Sequence, residues 1–139
     1  MVDPQIVKEW LDKADEDFNF ARVNLEEGKN FYAQICFHFQ QSAEKYLKAF
    51  IITYDLEFEK MHNLIKLLKI CANKESSLLS LMDKCETLNT AYIDTRYPVH
   101  WPTDYTKEKA LKLQEAAEKN RSGNKKIIEG GRVCLTNIS

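Results

Sequence analysis

The chain opens on a stripe of apolar residues at helical spacing: Val7, Trp10, Leu11, Ala14, Phe18, Ala21 and Leu25. Steps of three and four put these side chains on one face, which predicts a first helix over about residues 5–27. Asp3 followed by Pro4 suits its start, an N-cap and then a proline in the first turn. Gly28 suits its end. A second stripe, Tyr32, Cys36, Phe39, Ala43, Tyr46 and Phe50, repeats every seven residues with Ile35 and Leu47 beside it. That seam predicts a helix over about 31–54 packed in an antiparallel bundle. Glu44 and Lys48 add an i, i+4 pair in the favourable order.

After a link at 55–61, Leu64, Leu67, Leu68 and Cys71 predict a third helix over about 62–72. Residues 74–77 read as a break, with Ser76 or Ser77 capping a fourth helix that runs to about 93. Its inward positions are Leu78, Leu81, Met82, Cys85, Leu88 and Tyr92. Residues 94–103 cannot form a regular helix, because Pro98 and Pro102 each remove a donor. A fifth helix starts near Thr106 and carries Ala110, Leu113 and Ala117. Apolar periodicity stops after Asn120. The expected division is therefore a helical domain over 1–120 and a loosely held tail over 121–139.

Composition narrows the fold class. Only 4 Gly and 3 Pro occur in 139 residues. So few breakers argue against a sandwich, a barrel or a glycine-rich phosphate loop. The expected fold is all-α, an antiparallel up-and-down bundle of four to five helices. Early charges at Asp3, Lys8 and Glu9 exclude a secretory signal in this stretch, and no apolar run is long enough to span a bilayer. The four cysteines form no Cys-x-x-Cys pair and read as small hydrophobes in a reducing cytoplasm. No membrane contact is expected.

Charge is uneven. Residues 1–30 carry four basic and eight acidic groups, and residues 107–132 the reverse, eight basic and four acidic. Two readings follow: first and last helices that attract each other, or a basic face near the C-terminus that meets RNA or nucleotides. Phe20, Phe37 and Ile52 fall off the apolar stripes of the first two helices. A monomer would leave them wet, which points to a homodimer interface on those helices.

Two stretches carry candidate chemistry. The first is Phe39-Gln-Gln-Ser-Ala-Glu-Lys-Tyr-Leu-Lys-Ala-Phe50, followed by His62-Asn-Leu with Leu67-Leu68 behind it. The second is Asp94-Thr-Arg-Tyr-Pro98. Over about residues 7–118 the chain resembles the HEPN family, the higher-eukaryote and prokaryote nucleotide-binding domains. Prokaryotic members show a Gln-Gln-x-x-Glu-Lys-x-x-Lys-Ala helix, a His-x-Leu helix start and an Arg-Tyr-Pro late in the fourth helix.

The resemblance implies a dimerising helical bundle with a role toward nucleotides or RNA. It also implies a partner, a minimal nucleotidyltransferase, in a toxin–antitoxin-like pair. Several branches are metal-independent RNases that use an arginine and a histidine separated by four to six residues. Here the candidates are Arg96 and His100, separated by three residues of which one is Pro98. Histidine suits a base for the ribose 2′-hydroxyl, and arginine suits the scissile phosphate. The alternative for Arg96 is a cap on the C-terminal carbonyls of helix 4.

Arg96, Tyr97, Lys45, Lys48, Gln41 and Glu44 form the expected nucleotide- or RNA-binding set. The alternative for the helix 2 residues is an intrahelical polar network that fixes this helix against its neighbours. His62 is expected to cap helix 3 or to bond to a neighbouring helix. His38 has no obvious partner in sequence. The three histidines make no metal site by spacing, and no cofactor is expected. Asp15, Glu16 and Asp17 are consecutive and spread around their helix. Three functions remain open: an RNA- or nucleotide-associated accessory protein, an RNase toxin using Arg96 and His100, or a structural dimerisation module.

Overall fold

The computed structural model describes the backbone of residues 3–57, 60–96 and 105–138, with side chains given for 3–57, 60–91 and 105–130. Its elements are helices α1 (Pro4–Glu26), α2 (Tyr32–Thr53), α3 (Leu64–Lys74), α4 (Met82–Arg96) and α5 (Lys107–Ile138), with a 3₁₀ segment at Ser76–Leu81. All described regular structure is helical.

Local chemistry sets the boundaries. Asp3 accepts a 2.9 Å bond from the Gln5 amide, and Pro4 opens α1. Gly28 ends that helix at φ +76°, a left-handed conformation that suits glycine. Asn63 caps α3 by accepting from the amides of Ile65 and Lys66. His62 is therefore not the cap; it bonds instead to a neighbouring helix. The expected fourth helix begins differently: a 3₁₀ segment over Ser76–Leu81 precedes the α-helix. There Ser77 bonds Glu75, and Ser80 bonds the Ser77 carbonyl. Such side-chain bonds to the local chain compete with a regular helix start.

Helix α2 is the centre of the bundle and packs against all four other helices. Its buried positions lie all round the helix, from Ala33 and Ile35 to Phe50 and Ile51, the pattern of a helix enclosed on every side. Side-chain pairs give the directions. Asp15 meets Tyr46 while Asp17 meets Lys45 and His38, so α1 runs antiparallel to α2. His62 meets Glu44, Cys71 bonds the Leu47 carbonyl and Lys74 lies over the Tyr54 ring. Helix α3 therefore points the same way as α2. Leu64 meets Asn89, so α4 runs back against α3. Tyr54 reaches the Ile127 carbonyl, which places α5 alongside α2.

Cys36, Cys71 and Cys85 are buried. Burial pushes each thiol up to about 12, so they pack as small apolar groups.

The chain after Asn120 departs from the expected loose tail. It continues α5 without a break to Ile138, with Asn124 and Ile128 fully buried. Together with Leu113, Ala117 and Asn120 these residues continue one inward stripe at helical spacing. Asn120 donates toward Cys85 Sγ at 3.7 Å, and Asn124 donates to the Asn120 carbonyl at 2.8 Å. The stripe survives, but two of its positions are amides, which apolar periodicity alone does not register. Gly123 has a packing reason: a Cβ there would meet Leu81 Cδ1 at 3.3 Å.

Candidate functional site

The Gln40–Lys48 segment of α2 presents charge to two different sides. Glu44 and Lys48 share one face, one turn apart, and both are buried. Lys48 Nζ lies 3.3 Å from Glu44 Oε2 and 5.9 Å from the centre of the Trp10 ring on α1. His62 Nδ1 lies 3.1 Å from Glu44 Oε1. Both carboxylate oxygens are thus taken by nitrogen groups, which offsets the cost of placing a charge in a helical core. One turn earlier, Gln41 Nε2 donates to Gln40 Oε1 at 2.7 Å. Gln40 itself is fully buried, and its Nε2 has no hydrogen-bond partner among the described residues.

Lys45 faces away from this group. Its ammonium bonds Asp17 on α1, which also meets His38 at 3.1 Å. Burial raises the Asp17 pKa, but the bonds from His38 and Lys45 and their charges outweigh it and hold the carboxyl below the usual range. The His38 ring is flanked by Phe20 at 4.6 Å and Phe37 at 5.7 Å between centroids. Phe20 is 49% exposed and Phe37 half-buried, whereas Ile52 packs partly against the core.

A third polar group joins α1 to α5. Asp15 accepts from Tyr46, from Arg121 at 3.3 Å and from Lys125 at 2.8 Å. Burial raises the Asp15 pKa, but the hydrogen bonds from Lys125 and Tyr46 and the charges of Lys125 and Arg121 hold it below the ordinary carboxylate value. The Arg121 guanidinium also lies 5.4 Å from the Phe18 ring centre. For these two cations the attraction between first and last helices is the arrangement found. The sequence pointed to neither Asp15 nor Arg121; the uneven charge of the two helices was the signal that carried them.

Arg96 is the last residue of α4, seven positions after Asn89, whose amide oxygen accepts from the Leu64 backbone at 3.0 Å. Tyr97 and His100 lie outside the described residues. Between α4 and α5, a shallow groove of about 620 Å³ is lined by Glu86, Thr87 and Thr90 and by the α5 residues Glu108, Lys109, Lys112 and Leu113. Its lining carries charges of both signs, Glu86 and Glu108 with Lys109 and Lys112. Among the described residues, no group of three His, Cys, Asp or Glu is placed to hold a metal ion, and no helix is long and apolar enough to cross a membrane.

The HEPN domain family matches residues 7–122. The chain is 31% identical over 124 residues to MJ1304 of Methanocaldococcus jannaschii, whose name makes it a candidate toxin, and the match spans 80% of each chain. The chain belongs to the HEPN family.

Among solved structures, this HEPN protein is similar to TT1696 from Thermus thermophilus, with a TM-score of 0.75 and 26% identity over 86% of this chain and 96% of that one. It shares its fold with ST0689, an archaeal HEPN homologue, at a TM-score of 0.69 and 24% identity, over 88% of this chain and 97% of the other. The family match begins inside α1 and ends inside α5. It therefore takes in Glu44, Lys48 and His62 as well as Arg96. The structure brings Glu44 and Lys48 together, sets Gln41 one turn away, and turns Lys45 to Asp17.

Proposed function

We propose that this HEPN protein is the effector of a toxin–antitoxin-like pair and acts on RNA or a nucleotide in the cytoplasm. The observation that carries the reading is its similarity to MJ1304, 31% identical over a match that spans four-fifths of both chains. The buried charges on α2 support it. A bundle core is served as well or better by apolar residues, so the buried Glu44, Lys48 and Gln40 suit a site more than a scaffold.

In this reading Arg96 is the phosphate contact, because a guanidinium keeps its charge and offers forked donors. Tyr97, Gln41, Glu44, Lys45 and Lys48 form the surrounding surface. The protein works as a homodimer through Phe20 and Phe37, with Ile52 near the interface. Its activity is restrained by a partner, a minimal nucleotidyltransferase. The toxin name of the relative favours one finer reading, metal-independent RNA cleavage with Arg96 and His100.

Induced expression in a bacterial host tests this. Growth arrest by the wild-type chain, relieved by Arg96→Ala, is the expected result, with a nucleotidyltransferase co-eluting when the protein is purified from its source. Normal growth, together with a clean dimer that carries no nucleotide or nucleic acid, would leave the structural-module reading in its place. A mass near 16 kDa in solution at micromolar concentration would remove the homodimer.

A further inference from the structure

Phe20, Val23 and Phe31 are three of the six large apolar side chains that stand exposed among the described residues, at 49%, 39% and 43%. All three fall within residues 20–31, where α1 ends and the chain turns into α2. Val23 follows Phe20 by three positions, so the two share one side of α1. Phe37, in the second turn of α2, is half-buried. The His38 ring lies against both phenyl rings, 4.6 Å from the Phe20 centroid and 5.7 Å from that of Phe37, and its side chain is 33% exposed. A titratable ring is thus set into the apolar surface that the homodimer would use.

Charge on this surface cancels. Asp17 on α1 meets His38 at 3.1 Å and accepts from Lys45 of α2. Glu16, one turn before Phe20, pairs with Lys13 at 3.2 Å, and Arg22 beside Val23 pairs with Glu26 at 3.1 Å. Glu27 and Lys29 at the turn add one charge of each sign. An ionised carboxylate only accepts, so a neutral His38 ring donates to Asp17 through Nδ1, and the face is then neutral as a whole. A two-fold dimer sets a face against its own copy, where charge of a single sign repels itself. A neutral apolar face therefore suits a second copy of this chain better than a polyanion or a strongly charged peptide.

We infer, on the basis of the homodimer proposed above, that His38 gates that dimer by pH: the neutral ring lets the face close on a second copy, and the protonated ring opens it. A proton on His38 leaves one uncancelled positive charge on each copy, set between phenyl rings. In the closed dimer both charges lose water and both belong to the same interface, and each effect opposes closure. Histidine is the side chain that ordinarily changes charge between pH 5 and 8. Asp17 keeps its charge through that range. Burial raises its pKa, but the bonds from His38 and Lys45 and their charges hold it below the usual carboxylate value. The cancelling partner of Lys45 is therefore fixed, and the ring alone sets the sign of the face. Opening takes up as many as two protons, one for each copy.

The test is sedimentation of the full-length protein over a dilution series at about pH 7.5 and about pH 5.5. The wild-type chain should be dimeric at the higher pH, and its dimer Kd should rise roughly tenfold or more at the lower. His38→Gln keeps a donor for Asp17 and cannot be protonated, so its Kd should be the same at both values. His62→Gln and His100→Gln should keep the wild-type dependence. Phe20→Ala should weaken the dimer at both values. A second measurement does not need a variant: the titration of the His38 ring protons by NMR should move to lower pH as protein concentration rises. A wild-type Kd that ignores pH, a dependence that survives in His38→Gln, a Phe20→Ala dimer as tight as wild type, or a His38 titration that ignores concentration overturns the inference and leaves the homodimer standing. Protein that is monomeric at both pH values overturns the homodimer itself.

Discussion

Asp15 on α1 and Lys125 on α5 stand 2.8 Å apart, across 110 residues of sequence. The pair, joined by Arg121 and Tyr46, ties the last helix to the first at a level beyond Asn120. Truncation after Asn120 removes Arg121, Lys125 and the fully buried Asn124 and Ile128. Burial of Ile128 alone is worth about 2–3 kcal/mol, and the ion pairs add up to about 1 kcal/mol each. The truncated chain should therefore lose on the order of 3–5 kcal/mol, read as a fall of roughly 10–20 °C in Tm. A fall of only a few degrees would show that this half of α5 is held loosely.

Acid should act through the same helix. Asp15 and Asp17 both have pKa values held below the ordinary carboxylate value. A group whose pKa is lower in the folded state binds fewer protons there than in the unfolded chain. Its stabilisation is complete above the unfolded value, about 3.9, and is lost as pH falls through the folded value. Melting temperature should be level down to about pH 5 and then drop. The double variant Asp15→Asn, Asp17→Asn should start lower at neutral pH and drop less steeply in acid. Parallel acid profiles for the two proteins would contradict this.

The helices were legible because apolar side chains repeat at helical spacing in all five. Val7 to Leu25 and Tyr32 to Phe50 are near-continuous stripes, and all their residues are buried except Trp10 and Tyr32, which are partly buried against the core. The second half of α5 was illegible for a definite reason. Asn120 and Asn124 hold stripe positions, and Gly123 looks like a turn but makes room for Leu81. The polar residues of α2 were legible as a motif, yet their sides were not. Glu44 and Lys45 are neighbours in sequence, and the 100° between them sends one to His62 and the other to Asp17. Only the positions of α1 and of the chain before α3 decide which partner each one meets, and these are tertiary facts.

Glu44 and Lys48 should be strongly coupled. Glu44→Ala strands the Lys48 ammonium, whose side chain is 10% exposed, at a cost of about 3–5 kcal/mol. Lys48→Met strands the Glu44 carboxylate on one side while His62 still holds the other, so it should cost less. The double variant Glu44→Leu, Lys48→Met should come back close to wild-type stability. Denaturant midpoints for the single and double variants measure the coupling. Additive losses would show that the two charges do not depend on each other.

The most direct test of an RNA- or nucleotide-binding role is a titration of Arg96→Ala with a labelled single-stranded RNA and with a nucleotide, run beside a thermal melt of the same protein. The expected result is an unchanged melt and binding weakened by roughly 1–3 kcal/mol, with Arg96→Lys restoring only part because the forked donors are lost. A lowered melt with binding untouched in the folded fraction would contradict it, and would make Arg96 a cap on the end of α4.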